Sequence, residues 1–226
     1  MGQPNSGIAS EPLTARRSRA RYRRILRFAA RALVSTWWFE LVLPRLGLRS
    51  ISNRTRTRRL QLIARRFHGL ALNLSGLMIK LGQFMSTRLD VLPPAITNEL
   101  IGLQDEVPAV PFAAIRALAE RELGVPLERV FASVDPAPLA AASLGQVHRA
   151  VLLPADAEFM GFENVVIKIQ RPGIDQIVDV DLSALRRVSV WLSRIRLVNT
   201  RADMPRLMEE FAATCLEEID YLNEGA

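Results

Sequence analysis

The stretch Asn164-Val-Val-Ile-Lys-Ile-Gln-Arg-Pro-Gly173 sets one lysine inside a β-branched, apolar run. Strict alternation places Val165, Ile167 and Ile169 on one face and Val166, Lys168 and Gln170 on the other. Valine and isoleucine followed by Arg-Pro-Gly read as a strand that ends at a turn. A charge in the middle of such a strand is costly if buried alone, so it calls for a carboxylate or a phosphate. The competing reading is an edge-strand lysine turned to water as a guard against aggregation.

A helix predicted over about 203–224 tips that balance. Its apolar stripe runs Met208, Phe211, Ala212, Cys215, Ile219, Leu222. Glu218, three residues after Cys215 and four before Leu222, is set against that stripe, whereas Glu217, Asp220 and Glu224 fall on the polar side. A carboxylate beside a core face, following a strand with a lone lysine, is the arrangement of the kinase lysine–glutamate pair that holds nucleotide phosphates. Lys168 and Glu218 are the candidate pair. Cys215 is the only cysteine, which excludes an intramolecular disulfide framework and fits a reducing compartment. On the apolar stripe it reads as packing.

The choice of lysine carries information because this chain uses arginine almost everywhere. Of its 30 basic residues only Lys80 and Lys168 are lysine. A compact ammonium and a broad guanidinium fork are not equivalent in a tight phosphate or ion-pair site. Lys80 opens Lys80-Leu-Gly-Gln83, where Lys80 and Gln83 share a helix face that Gly76 and Thr87 extend. A surface lysine laid along its own helix is the alternative for that residue.

Upstream of the lysine strand, Leu139-Ala-Ala-Ala-Ser-Leu-Gly-Gln-Val-His-Arg149 joins two further predicted strands. Kinases place a glycine-rich loop over the phosphates at this connection. Here Ala140, Ala141, Ala142 and Ser143 stand in its place, small enough for close backbone approach but more restricted than glycine.

The remaining periodicity gives the organisation of the chain. Residues 1–12 are rich in Gly, Pro and Ser and read as disordered, without the apolar core of a signal peptide. The start MGQPNS matches the pattern for N-myristoylation. A helix is expected from about Ala15 to Leu46, broken near Pro44, then a long one over 55–90, a short one over 95–104, and 112–123 closed by Gly124. Strands are expected around 130–134, 146–153 and 164–169, and helices over 175–197 and 203–224. The fold class is α+β, a helical amino-terminal extension followed by a small antiparallel sheet with helices. The divisions expected are a basic amphipathic arm at 1–50, a helical extension at 51–125 and a sheet-containing part at 126–226.

The formal charge of +7 is concentrated at one end. Residues 1–70 hold sixteen arginines against Glu11 and Glu40, and the remainder is net acidic. Arginine interleaved with Phe28, Trp37 and Trp38 is the composition of an interfacial helix, so an anionic membrane surface is an expected partner of residues 1–50. The same face could equally dock on its own protein. No nucleic-acid recognition motif accompanies the charge, and nucleic acid is not an expected partner. No apolar run spans a bilayer, so the expectation is a cytoplasmic protein peripheral to the membrane.

Four blocks together resemble the UbiB/AarF atypical kinase-like family: KLGQ at 80–83 with Leu92-Pro93 and Leu103-Gln-Asp-Glu-Val-Pro108, PLAAASLGQVHRA at 138–150, VVIKIQRPGI at 165–174, and EEIDYLNEGA at 217–226. They fall in the family's order. The resemblance implies a kinase-like N-lobe, MgATP binding, ATPase or small-molecule kinase activity, and a link to ubiquinone or related isoprenoid-lipid metabolism, with an isoprenoid lipid or quinone precursor as a possible partner. It implies that Lys168 contacts the nucleotide phosphates, that Glu218 pairs with it, and that Glu224 is a second family acid. It further implies that Lys80 and Gln83 reach into the pocket from above, and that Ala140, Ala141, Ala142 and Ser143 line the phosphate side. No His-Gly-Asp or Asp-Phe-Gly stretch occurs in these residues, so the catalytic Asp and the Mg²⁺ ligands of a C-lobe are expected downstream of Ala226. This stretch alone is not expected to transfer phosphate. The alternative is a non-catalytic membrane-surface or regulatory scaffold module.

Overall fold

The computed structural model describes residues 14–88, 92–104, 107–195 and 203–220. In chain order its helices are α1 (Ala15–Trp37), α2 (Leu43–Arg45), α3 (Arg49–Leu74), α4 (Leu77–Ser86), α5 (Pro94–Leu100), α6 (Phe112–Leu123), α7 (Pro154–Met160), α8 (Ile174–Ser193) and α9 (Met204–Ile219). The strands are β1 (Phe131–Val134), β2 (Ala140–Ala141), β3 (Gly145–Leu152) and β4 (Asn164–Gln170). They form two compact units, a helical one (Thr14–Glu106 and the residues from Asp175) and a sheet unit (Val107–Ile174). The leader 1–12, Glu224 and the end of the last expected helix lie outside the described residues.

In the helical unit, α1 starts at Thr14, whose hydroxyl accepts from the Arg17 N–H. Its end runs through a wide π turn, Trp38–Val42, into α2. Pro44 accounts for the widening, since it has no N–H and its ring crowds the carbonyl four residues back. The break expected near Pro44 therefore lies just before it. The long helix expected over 55–90 is divided at Ser75 and Gly76, whose φ values are 55° and 58°. Gly76 adopts this region without cost, but Ser75 must be held there.

Arg21 on α1 supplies the holding contacts. Its Nη1 donates to the Leu74 carbonyl at 2.6 Å and its Nη2 to the Ser75 carbonyl at 3.2 Å. The same guanidinium meets both carboxylate oxygens of Asp181 on α8, at 2.6 and 2.7 Å. Carbonyls freed by the helix break are thereby satisfied. Asp181 is fully buried. Burial pushes its carboxyl above the usual range, and the Arg21 hydrogen bonds and charge oppose that shift.

Arg21 ties α8 to α1, and Phe84 on α4 meets Phe211 on α9 with ring centroids 5.3 Å apart. The two late helices therefore belong to the helical unit. The sheet unit ends at Ile174 for this reason, and the division expected at 125 falls at Val107 because Pro108, Val110 and Phe112 are held by Arg171, Gln146 and His148 of the sheet unit.

The sheet unit has the expected antiparallel strands plus a fourth, β2, too short to show alternation in the sequence. β3 is central, with β1 and β2 along one edge and β4 along the other. α6 ends as expected at Gly124, in the left-handed region at φ 72°. α7 has no counterpart among the expected elements. The α+β class stands.

Removing one partner of a buried ion pair strands the other charge, so Arg21→Ala should cost about 3–5 kcal/mol of stability. The pH dependence has a defined sign. A carboxyl whose folded pKa is raised binds protons more readily in the folded state, so its favourable contribution is present at low pH and lost as pH rises through that pKa. Arg21→Ala raises the Asp181 pKa further, and its deficit should be larger at pH 8 than at pH 5.5. Urea unfolding midpoints of both proteins at the two pH values measure this, and an equal deficit at both would contradict it.

Candidate functional site

The sheet unit organises the first group of candidate residues. Ala140 on β2 pairs with Val147 on β3, which pairs in turn with Lys168 on β4. The three lie in one row across the strands and share a face. Lys168 and Val166 are exposed on it, while Val165, Ile167 and Ile169 turn inward as the alternation requires. Alanine at the β2 end of the row leaves only a methyl group there, with Val147 between it and the lysine.

The opposite face is a polar anchor. Gln146 and His148 alternate onto it and are fully buried. Gln146 exchanges hydrogen bonds with the Val110 backbone, its Nε2 donating to the Val110 carbonyl at 3.3 Å and its Oε1 accepting from the N–H. The His148 Nδ1 lies 2.8 Å from the Asp135 carbonyl, which assigns the proton to Nδ1 and leaves Nε2 to accept from Gln146. Phe112 on α6 covers the imidazole, centroid to centroid 5.2 Å. These contacts fix β3 against the chain entering from 107–111.

The alanine run turns back on itself through a tight hairpin, closed by the Ala142 N–H to the Gly145 carbonyl at 2.8 Å. Arg171 pins that hairpin. Its Nε donates to the Ala142 carbonyl at 3.0 Å and its Nη2 to the Pro108 carbonyl at 2.7 Å, while its backbone N–H reaches the Leu144 carbonyl at 2.9 Å. The residue is buried, and desolvation lowers the pKa of its guanidinium. Of the run expected to line the phosphate side, Ala140 and Ala142 are exposed, Ala141 is half-buried and Ser143 is buried. Arg171 was not among the expected site residues. The available signal was a charged residue set between a strand end and a proline.

In the helical unit, Lys80 on α4 and Glu218 on α9 form an ion pair. Each side chain is about a quarter exposed, 25% and 29%. The carboxylate that the family resemblance assigns to Lys168 is thus in the hands of the other lysine. Cys215, one turn before Glu218, is buried, and desolvation pushes its thiol up to about 12, so it remains a neutral thiol at ordinary pH. Gln83 donates from Nε2 to the Leu103 carbonyl at 3.0 Å. Its amide binds the 3₁₀ turn Ile101–Gln104, a supporting task. Gly82 permits the approach. A methyl group there would run into Leu103 Cδ1 and crowd Phe67 Cε1 at 3.3 Å. Glu224 lies outside the described residues.

An open-faced antiparallel sheet with one central-face lysine, a pinned small-residue hairpin and a glutamate-bearing helix in the order strand–hairpin–strand–helix defines the class as kinase-like. Comparison with known proteins makes the class specific. The model of the ABC1 atypical kinase-like domain matches residues 102–226. The chain belongs to the ABC1 atypical kinase-like family. It is 40% identical over 154 residues to an uncharacterized protein of Synechocystis sp., a match covering 68% of this chain and 25% of that one. Identity is also 40% over 157 residues to Protein ACTIVITY OF BC1 COMPLEX KINASE 8, chloroplastic, of Arabidopsis thaliana, covering 69% and 20% of the two chains. A second Synechocystis protein is 36% identical over 194 residues, 83% of this chain and 31% of its own. The chain therefore spans only about a fifth to a third of these relatives.

Gly82 gives a test of the site's packing. Glycine to alanine inside a helix ordinarily gains about 0.5–1 kcal/mol. Overpacking against Leu103 should instead make Gly82→Ala net destabilising, by about 1–3 kcal/mol. Thermal melting of the variant measures the sign, and a gain in stability would contradict the close approach.

Proposed function

We propose that this chain is the phosphate-gripping portion of an ABC1-type ATP-dependent kinase or ATPase, with Lys168 as the ligand of the nucleotide phosphates. The observation that carries the reading is the Ala140–Val147–Lys168 row on an open sheet face. Val147 lies between the exposed ammonium and Ala140, and the small Ala140 side chain at the far end of the row leaves space for a phosphate chain. The hairpin pinned by Arg171 supplies a fixed backbone next to it. Preorganised donors of this kind lower the entropic cost of ordering a polyphosphate. The nucleotide is the reaction's substrate, and Mg²⁺ would accompany it to neutralise phosphate charge. Among the described residues no group of three or more His, Cys, Asp or Glu side chains is gathered to hold a metal.

The Lys80–Glu218 ion pair supports a role for α4 in setting the state of the glutamate. With Lys80 engaged, Glu218 is restrained by a partner other than the one the resemblance assigns. The family resemblance also suggests isoprenoid-lipid or quinone metabolism at membranes as the setting. An apolar cavity of about 280 Å³ in the helical unit, walled by Ile63, Phe67, Met85, Met208 and Phe211, suits a hydrocarbon chain and supports that setting. A membrane-surface role draws on separate residues, the arginine-rich α1 and α3, and does not compete with nucleotide binding.

The test is MgATP affinity of the full-length protein and its Lys168→Ala and Lys168→Arg variants, by titration calorimetry. A charge-assisted hydrogen bond to phosphate is worth about 1.5–3 kcal/mol, so Lys168→Ala should weaken binding about 10- to 150-fold. Arginine should recover only part of that loss, because its fork does not fit a site shaped for an ammonium. Unchanged affinity in Lys168→Ala would overturn the assignment.

A further inference from the structure

The nucleotide reading makes no use of the arginine-rich face between α1 and α3. Arg24, Arg27 and Arg31 recur on α1 at helical spacing, and Arg59 and Arg66 face them from α3. Together they line a groove of about 840 Å³ whose floor is Phe28, Ile63 and Leu70. No carboxylate lines it among the described residues. Arg24, Arg27, Arg31 and Arg66 have no ion-pair or hydrogen-bond partner among the described residues, and all four are exposed. Four unneutralised guanidinium groups along one groove make a surface for anionic oxygen, and phosphate suits their fork geometry best.

A second, independent feature adjoins the groove. The turn joining α1 to α3 leaves large apolar side chains standing in solvent: Val34 is 65% exposed, Trp37 53%, Leu46 63% and Ile51 50%, with Trp38, Leu41 and Leu48 also exposed. These seven residues fall within the stretch from Val34 to Ile51, which is the tip of a helical hairpin. The tip is a built structure. The Ser52 hydroxyl donates to the Phe39 carbonyl at 2.7 Å, and Arg59 both bonds Glu40 at 2.9 Å and stacks 4.2 Å over the Phe39 ring. Glu40 is the one acidic residue from Thr14 to Arg88, and Arg59 and Arg56 neutralise it. Nothing on the hairpin repels a negative surface.

Paired tryptophans with leucines at a tip, where Arg45 and Arg49 also stand exposed and can snorkel, and further arginines set back from it, match the layering of a bilayer face. Arg31 lies six residues before Trp37, about 9 Å along the helix axis. A headgroup layer is roughly 5–7 Å deep on each side of the hydrocarbon. With Trp37 and Trp38 at the acyl boundary of a helix along the membrane normal, the Arg31 backbone lies just outside the headgroup layer, from where its long side chain reaches the phosphates, and Arg27 lies about one turn further out. We propose that the α1–α3 groove binds the phosphate headgroup of an anionic phospholipid in a bilayer that the Val34–Ile51 tip enters.

The test uses the intact chain in a Trp191→Phe background, so that Trp37 and Trp38 alone report. Vesicles of phosphatidylcholine with about one-third phosphatidylglycerol should bind the protein, shift its tryptophan emission to the blue, and release it as salt rises. Arg27→Ala/Arg31→Ala/Arg66→Ala should weaken binding about a hundredfold, from about fivefold per arginine. The same loss of charge at exposed positions of the sheet unit, Arg121→Ala/Arg129→Ala/Arg149→Ala, should change it less than threefold. Trp37→Ser/Trp38→Ser should retain salt-sensitive binding that is about tenfold weaker. All substituted side chains are exposed or outside the core, and circular dichroism confirms the fold of each variant. Equal loss from the two triple variants would mean diffuse charge and overturn the groove. An unshifted emission on vesicle binding would overturn entry of the tip. Tight binding of free glycerol phosphate with no vesicle binding would identify a soluble-ligand site and overturn the membrane reading.

Discussion

One guanidinium holds the helical unit in register. Arg21 spends its donors on the Leu74 and Ser75 carbonyls and on both oxygens of Asp181, so a single side chain joins α1, the end of α3 and α8. A lysine could not do this, because a point charge with rotating donors does not span two carbonyls and a carboxylate in fixed geometry. Burying such a pair is worthwhile only when the remaining hydrogen-bonding capacity is also met, and here the freed helix carbonyls meet it. The direction in which α4 leaves Gly76 follows from this clamp. So do the approach of Gly82 to Leu103 and the position from which Lys80 reaches Glu218.

Hydrophobic period and punctuation made much of this architecture legible. α6 between Pro111 and Gly124, the lysine strand, and the buried stripe Met208, Phe211, Ala212, Cys215 follow from local pattern alone. What escaped was set by partners distant in sequence. Arg21 meets Asp181 across 160 residues, and nothing near Ser75 announces that an arginine on α1 will stabilise its positive φ. β2 is two residues long and α7 is seven, too short for periodicity to speak. The same limit applies at the candidate site. Alternation put Lys168 on its face, but the ion pair of Glu218 with Lys80 and the anchoring of Gln83 to Leu103 depend on where α4 lies.

The basic amino-terminal third illustrates how charge counting conceals function. Sixteen arginines look alike in composition, yet the structure divides them by what they touch. Arg21 is consumed by the interior, and Arg59 by Glu40 and the Phe39 ring. Arg24, Arg27, Arg31 and Arg66 stay outward along one groove. Net charge is a statement about all of them, while any recognition by this surface is a statement about the last four.

The near-absence of lysine has a chemical corollary. Amine-selective acylation or cross-linking can address only Lys80 and Lys168 besides the α-amino group. One of the two is held in an ion pair on α4 and the other is exposed on β4. The chain thus carries two built-in chemical reporters, one on each of its compact units.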